Sequence, residues 1–183
     1  MADQANSHST AIQGVDIDKV SEWLVANIAD ARAPFSFSLI AGGRSNLTYK
    51  VTDANNVGYV LRRPPLGHVL ATAHDMAREH RIIAGLANSN VPVATARGLC
   101  TEEAVNELPF YVMDFVDGHV VRDKATAETL LGPDGCKRAS ESIVDTMAAI
   151  HAVDLKSVGL DDLGRHDGYI ARQLKRWHGN IVE

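Results

Sequence analysis

Two glycines, a small hydroxyl and an amide stand together in Ala41–Val51, AGGRSNLTYKV, and lead into an alternating stretch. Glycine lets the backbone approach a ligand with no Cβ in the way, and successive N–H groups can face phosphate oxygens. The chain returns through a turn to Tyr59–Arg62, YVLR, which ends on a basic residue. A cation there would lie near the same phosphates. Glu79 follows inside a stretch of helical periodicity, and a carboxylate so placed can hold the rotamer of that cation. Gly42, Gly43, Ser45, Asn46, Arg62 and Glu79 thus have the makings of half a nucleotide site. Each alone has a plainer reading: a hairpin turn, a surface arginine before a proline break, a solvated helix residue. Their order and spacing together favour the functional one.

The elements that must position these residues can be read from periodicity. Residues 1 to about 14 are small and polar and read as a disordered tail. Asp16 is the predicted N-cap of a helix whose apolar stripe is Val20, Trp23, Leu24 and Ile28, ended by Ala33-Pro34. Phe35, Phe37 and Leu39 then alternate with Ser36, Ser38 and Ile40, as a strand with one buried face does. Leu47–Thr52 is a second strand, Asp53–Gly58 (DANNVG) is rich in turn formers, and Val57–Arg62 is a third strand stopped by Pro64-Pro65. The glycine loop therefore joins two strands of a meander. Thr72-x-x-Asp75 resembles a capping box opening a helix to about Ala87, with Met76, His80, Ile83 and Ala87 on its apolar face. Val91–Gly98 is expected to be extended, Thr101–Glu107 to turn, and Phe110–Val116 (FYVMDFV) to be a strongly apolar strand. Beyond Asp117-Gly118 the pattern is helical, over about Gly135–Ala152 with Ile143, Val144, Met147 and Ile150 inward, and over about Asp167–His178. The sum is an α+β chain in two parts, divided near Val116–Val120.

Composition narrows the function. The 183 residues suit one domain or two small lobes, 45% are hydrophobic, and the net charge is −5, which argues against a general nucleic-acid binder. Two short basic clusters, Arg62-Arg63 and Lys175-Arg176, read by themselves as solvated surface. Two cysteines, Cys100 and Cys136, do not make a disulfide framework, so a reducing cytoplasm is the expected compartment. The N-terminal MADQANSHSTAIQG has no secretory pattern, and no run reaches the roughly 18 apolar residues of a membrane span. His68, His74 and His80 recur every six residues, so on a helix they point apart and cannot share one metal. Neither a P-loop nor a Rossmann G-x-G-x-x-G is present.

The set GGRSNLTYKV, YVLRRPP, AHDMAREHRIIAGL, FYVMDFVDG and AAIHAVD resembles, in order, the aminoglycoside phosphotransferase/choline kinase-like family. It resembles in particular the branch associated with acyl-CoA dehydrogenases, and the resemblance runs from about Ile12 to the last residue. The resemblance implies a protein-kinase-like fold: an N-terminal antiparallel sheet lobe with a helix over about 15–118, then the beginning of a helical C-terminal lobe over 119–183. It implies ATP in the cleft between them, with Mg²⁺ in the complete fold. By the same resemblance Gly42, Gly43, Ser45 and Asn46 cover the phosphates and Arg62 takes the place of the strand lysine, with Glu79 as its partner. Backbone around Asp114, Phe115 and Val116 holds adenine, with Met113 at its edge. Arginine is always charged and can fork two phosphate oxygens, but needs more room than lysine.

The family's catalytic loop, H-G-D-x-x-x-x-N, does not occur in these 183 residues. Arg165-His166-Asp167-Gly168 comes nearest, but Arg172 stands where the Asn belongs. The expectation is therefore an ATP-dependent small-molecule phosphotransferase whose chain looks truncated before that loop and is inactive alone, with the acceptor unknown. The alternative is a non-catalytic nucleotide- or protein-binding module built on the sheet lobe. The apolar stripe of Gly135–Ala152 suggests a homodimer or association with a further C-terminal part.

Overall fold

Asp16 starts the first helix: its carboxylate accepts the Lys19 N–H at 3.3 Å, and α1 (Ile17–Asn27) runs from there. The structure, a computed structural model, describes residues 12–41, 46–67, 74–164 and 167–182. The strands β1 (Ser36–Ala41), β2 (Leu47–Thr52) and β3 (Gly58–Arg63) follow, then α2 (Met76–Leu86). Next come β4 (Ala96–Cys100), β5 (Phe110–Asp114), α3 (Lys124–His151) and α4 (Tyr169–Val182). The five strands form one antiparallel sheet in the order β1-β2-β3-β5-β4. This is the α+β arrangement expected, with two strands after α2, and β4 takes up the end of the stretch expected to be extended.

Strand alternation decides the layers. Leu47, Tyr49 and Val51, Tyr59 and Leu61, and Phe110 and Val112 are buried in one cluster with Val20, Trp23 and Leu24 of α1 and Ile28 at its C-cap. Trp23 meets Phe110 edge to face, with ring centroids 5.1 Å apart. The alternate residues, Thr48, Arg62 and Tyr111, pair across three strands and share the other face, where α2 lies. Adjacent arginines are therefore separated. Arg62 stands on the α2 face, whereas Arg63 is only 2% exposed and donates to the Gly14 carbonyl. The reading of Arg62-Arg63 as a solvated pair is thus corrected by the pleat, which sends neighbours to opposite faces. Burial holds the Arg63 guanidinium below its usual pKa, against the opposing pull of Tyr49 and Glu107.

Other expectations shift as well. Residues 12–14, expected to end the tail, are tied to the sheet: Tyr49 donates to the Gln13 carbonyl at 2.7 Å, and Ile12 packs on the core. Leu39 and Ile40 are exposed, because β1 is an edge strand, although Phe37 packs on the core cluster. The second helix starts at Met76, with Asp75 as its N-cap accepting the Arg78 N–H at 2.9 Å; Thr72 lies outside the described residues. The fifth strand stops at Asp114 rather than Val116. The third helix begins at Lys124, well before Gly135, and breaks at Gly132, whose φ of 63° and ψ of 179° suit glycine alone before Pro133. The residues Ile143, Val144, Met147 and Ile150, expected to point inward, are exposed; Ile143 is 63% and Met147 53% accessible. Helical periodicity marks a stripe but does not supply the surface that covers it. Among the described residues no helix is long and apolar enough to cross a membrane.

Candidate functional site

The site assembles on the α2 face of the sheet. Arg62 precedes the last residue of β3, and register places Thr48 on one side of it and Tyr111 on the other. Glu79 sits in the first turn of α2, where the helix dipole favours an anion. Arg62 Nε donates to Glu79 Oε2 at 2.9 Å, and the Tyr111 hydroxyl donates to the same oxygen at 3.2 Å. Asn46 Nδ2 donates to Oε1 at 2.8 Å. A carboxylate is acceptor-only, so three donors satisfy it well. Asn46 Oδ1 lies 2.5 Å from His74 Nδ1, which makes His74 the outermost member of the network. Burial first, and the Glu79 carboxylate second, push the Tyr111 phenol well above its ordinary pKa, so it remains a donor.

The second helix is gripped from outside as well. Arg81 forks Asp162, with Nη1 to Oδ2 at 3.2 Å and Nη2 to Oδ1 at 2.5 Å, and also reaches the Gly159 carbonyl. The hydrogen bond from Arg81 holds Asp162 below the usual carboxylate range. A Cβ at Gly85 would meet the Val158 carbonyl oxygen at 2.8 Å, so glycine is what lets this segment lie against the helix. Glu79 is thus carried on a helix clamped between sheet and loop.

The structure brings Arg62 and Glu79 together, the pair that order and spacing suggested, and adds Asn46 to them. Asn46, however, is 6% exposed and turns its amide to Glu79, while its assigned task was to cover phosphates. Gly42, Gly43 and Ser45 lie outside the described residues, as do His68, Arg165 and His166. Met113 pairs with Val60 and Ala96 within the sheet. The Asp114 N–H donates to the Thr95 carbonyl at 2.9 Å and the Phe115 N–H to Gly58 at 3.2 Å, so sheet closure occupies both. The Asp114 carboxylate is forked by Arg97 at 2.5 and 2.9 Å. The Lys50 ammonium sits 4.0 Å above the Phe115 ring, and Val116 is exposed.

Sequence reasoning missed Tyr111 and His74. Tyr111 was treated only as part of an apolar strand; its register opposite Arg62 is a property of the sheet. His74 was set aside as a helical residue unable to chelate. Asp75 as N-cap was the signal that His74 precedes the helix and is free of its geometry. Among the described residues no three His, Cys, Asp or Glu side chains converge to hold a metal.

With this geometry in view, the comparisons with known proteins are direct. Residues 36–182 match the phosphotransferase enzyme family, and the chain belongs to that family. A crystal structure from Ralstonia eutropha JMP134, of a protein assigned as an aminoglycoside phosphotransferase, superposes with a TM-score of 0.72 at 31% identity. It is matched over 90% of this chain and 46% of that one. Mouse acyl-CoA dehydrogenase family member 10 is 36% identical over 135 residues, covering 74% of this chain and 12% of the relative. Human acyl-CoA dehydrogenase family member 11 is 30% identical over 151 residues, covering 81% of this chain and 19% of the relative. The chain therefore spans less than a fifth of these curated relatives. The family and the protein-kinase-like α+β fold read from the motifs are both borne out.

Proposed function

We propose that this chain holds the phosphates of ATP for an ATP-dependent small-molecule phosphotransferase, in which the γ-phosphate passes to a hydroxyl of the acceptor. The observation that carries this reading is the Arg62–Glu79 pair, fixed by Asn46 and Tyr111 on the face of the sheet that α2 covers. Glu79 is engaged through the guanidinium Nε, and the terminal nitrogens carry further N–H donors of the kind phosphate oxygens accept. Gly42, Gly43 and Ser45 supply the covering loop in this reading. Met113 borders adenine, and its donor is the Val116 N–H, since those of Asp114 and Phe115 are used within the sheet. Residues 15–118 act as the nucleotide lobe and 119–183 as helical support, in a cytoplasmic setting. Mg²⁺ belongs to this reading as the ion with which the family generally works.

These 183 residues lack H-G-D-x-x-x-x-N, so binding without turnover is expected of this chain alone, and a purely nucleotide- or protein-binding role remains the second reading. Calorimetric titration with ATP, with and without Mg²⁺, tests the first. The parent chain binds, and Arg62→Ala weakens binding by about tenfold or more, the worth of a charge-assisted contact. Equal affinity in the two proteins sinks the proposal. ATP consumption with alcohols or aminoglycosides that depends on Arg62 would overturn the expectation of no turnover.

The exposed stripes of α3 (Ile143, Met147, Ile150) and α4 (Ile170, Leu174, Trp177) favour self-association or a further covering part. Light scattering is expected to show this chain as a dimer or larger. Ile143→Glu combined with Met147→Lys returns it to a monomer. A parent chain that stays monomeric at high concentration removes the dimer from the proposal.

A further inference from the structure

Glu79 faces Arg62 with one oxygen and Asn46 with the other. Paired with a guanidinium, the carboxylate is ionised and can only accept. Asn46 must therefore present its NH₂ to Glu79, which leaves its carbonyl oxygen toward His74, 2.5 Å from Nδ1. Two acceptors cannot share so short a contact, so His74 Nδ1 carries the proton. The polarity of the relay is thereby set from end to end: His74 donates to Asn46, Asn46 donates to Glu79, and Glu79 receives Arg62.

The same relay joins segments distant along the chain. Asn46 follows the glycine loop, His74 ends the connection from β3, and Glu79 belongs to α2. His74 also lines a cavity of about 330 Å³ with Pro64, Asp75, Met76, Thr101, Leu108 and Pro109, and the Asp75 carboxylate is engaged by the Arg78 N–H. Among the described residues the bond to Asn46 is the hydrogen bond that orients the imidazole.

We propose that His74 is a positioning residue: by donating from Nδ1 it fixes the amide of Asn46, and through it the Glu79 carboxylate that holds Arg62. This rests on the reading of Arg62 as the phosphate-holding cation, and the test separates the two. Nitrogen-15 NMR of the full chain at about pH 8.5, where a ring is ordinarily neutral, reports the tautomer of His74. Nδ1–H is expected, against the Nε2–H form that free imidazole side chains favour. Hydrogen exchange at the Arg62 Nε–H reports whether Glu79 is held. His74→Asn places an amide N–H where Nδ1 stood and keeps the protection. His74→Gln, whose nitrogen reaches the Nε2 position instead, and His74→Leu each lose it by about tenfold, the worth of one hydrogen bond. ATP affinity follows the same order.

An Nε2–H tautomer overturns the proposal, and so does a His74→Asn variant as unprotected as His74→Leu. Should the exchange pattern hold while the parent chain fails to bind ATP, the positioning role stands and the nucleotide reading falls.

Discussion

Replacing Glu79 with alanine is expected to cost about 2–3 kcal/mol of stability and to weaken ATP binding more than about tenfold. Three donors converge on this one carboxylate from Arg62, Asn46 and Tyr111. Alanine leaves all three to find water or go unpaired, and the half-buried Arg62 loses the partner that fixes its rotamer. Removing an acceptor costs more than the hydrogen bond was worth, because the orphaned donors keep their desolvation penalty. Glutamine separates charge from hydrogen bonding. Its oxygen can face Arg62 and Tyr111, which turns its NH₂ toward Asn46. Asn46 must then flip and offer its own NH₂ to His74, whose Nδ1 becomes the acceptor. Glu79→Gln should therefore be milder than Glu79→Ala and should reverse the His74 tautomer. Thermal melts, ATP calorimetry and ring nitrogen shifts measured together check this. An alanine variant as stable and as tight-binding as the parent would show that the network holds nothing in place.

Phe110→Ala is expected to be the most damaging single change in the sheet, at about 3–5 kcal/mol. The ring is fully buried and meets Trp23 edge to face, so it anchors α1 to an interior strand of the sheet. Truncation removes the aromatic pair and leaves a cavity that neither a helix nor a hydrogen-bonded strand can close without shifting. Against a typical total stability of about 5–15 kcal/mol, such a loss leaves much of the population unfolded at moderate temperature. Phe110→Leu, which keeps most of the volume, should cost clearly less. Urea unfolding of the two variants decides it: a loss below about 1 kcal/mol for alanine means the core has collapsed onto the gap. Because Tyr111 is the next residue on the same strand, a Phe110 variant that still folds should also lose order at Glu79.

Much of this was legible from the chain. Val20, Trp23, Leu24 and Ile28 marked one helix face, and all four are buried there. The alternation Leu47, Tyr49, Val51 gave a strand whose inward residues are those three. The pairing of Arg62 with Glu79 was legible because two elements, strand and helix, each carried one charged residue at the right place. Other features were not. The stripe of α3 was visible as a period but not as a surface without cover. The same is true of Leu39, which alternates like a core residue and sits on an edge.

The sequence by itself determined periodicity, caps and turns, because these depend on neighbours a few residues away. Asp16 as N-cap and the DANNVG turn belong to that class; Asp53 there accepts the Asn55 and Val57 N–H groups at 2.8 Å. Only the tertiary structure decided what the side chains of the site do. Asn46 meets Glu79 across 33 positions of sequence, Tyr111 meets it across 32, and His74 meets Asn46 across 28. No local rule sets such contacts. They follow from sheet register, which lines up Thr48, Arg62 and Tyr111, and from the clamp that lays α2 across them. Arg62 and Arg63 are alike as letters. The pleat makes one the ligand of a carboxylate and buries the other beneath the opposite face.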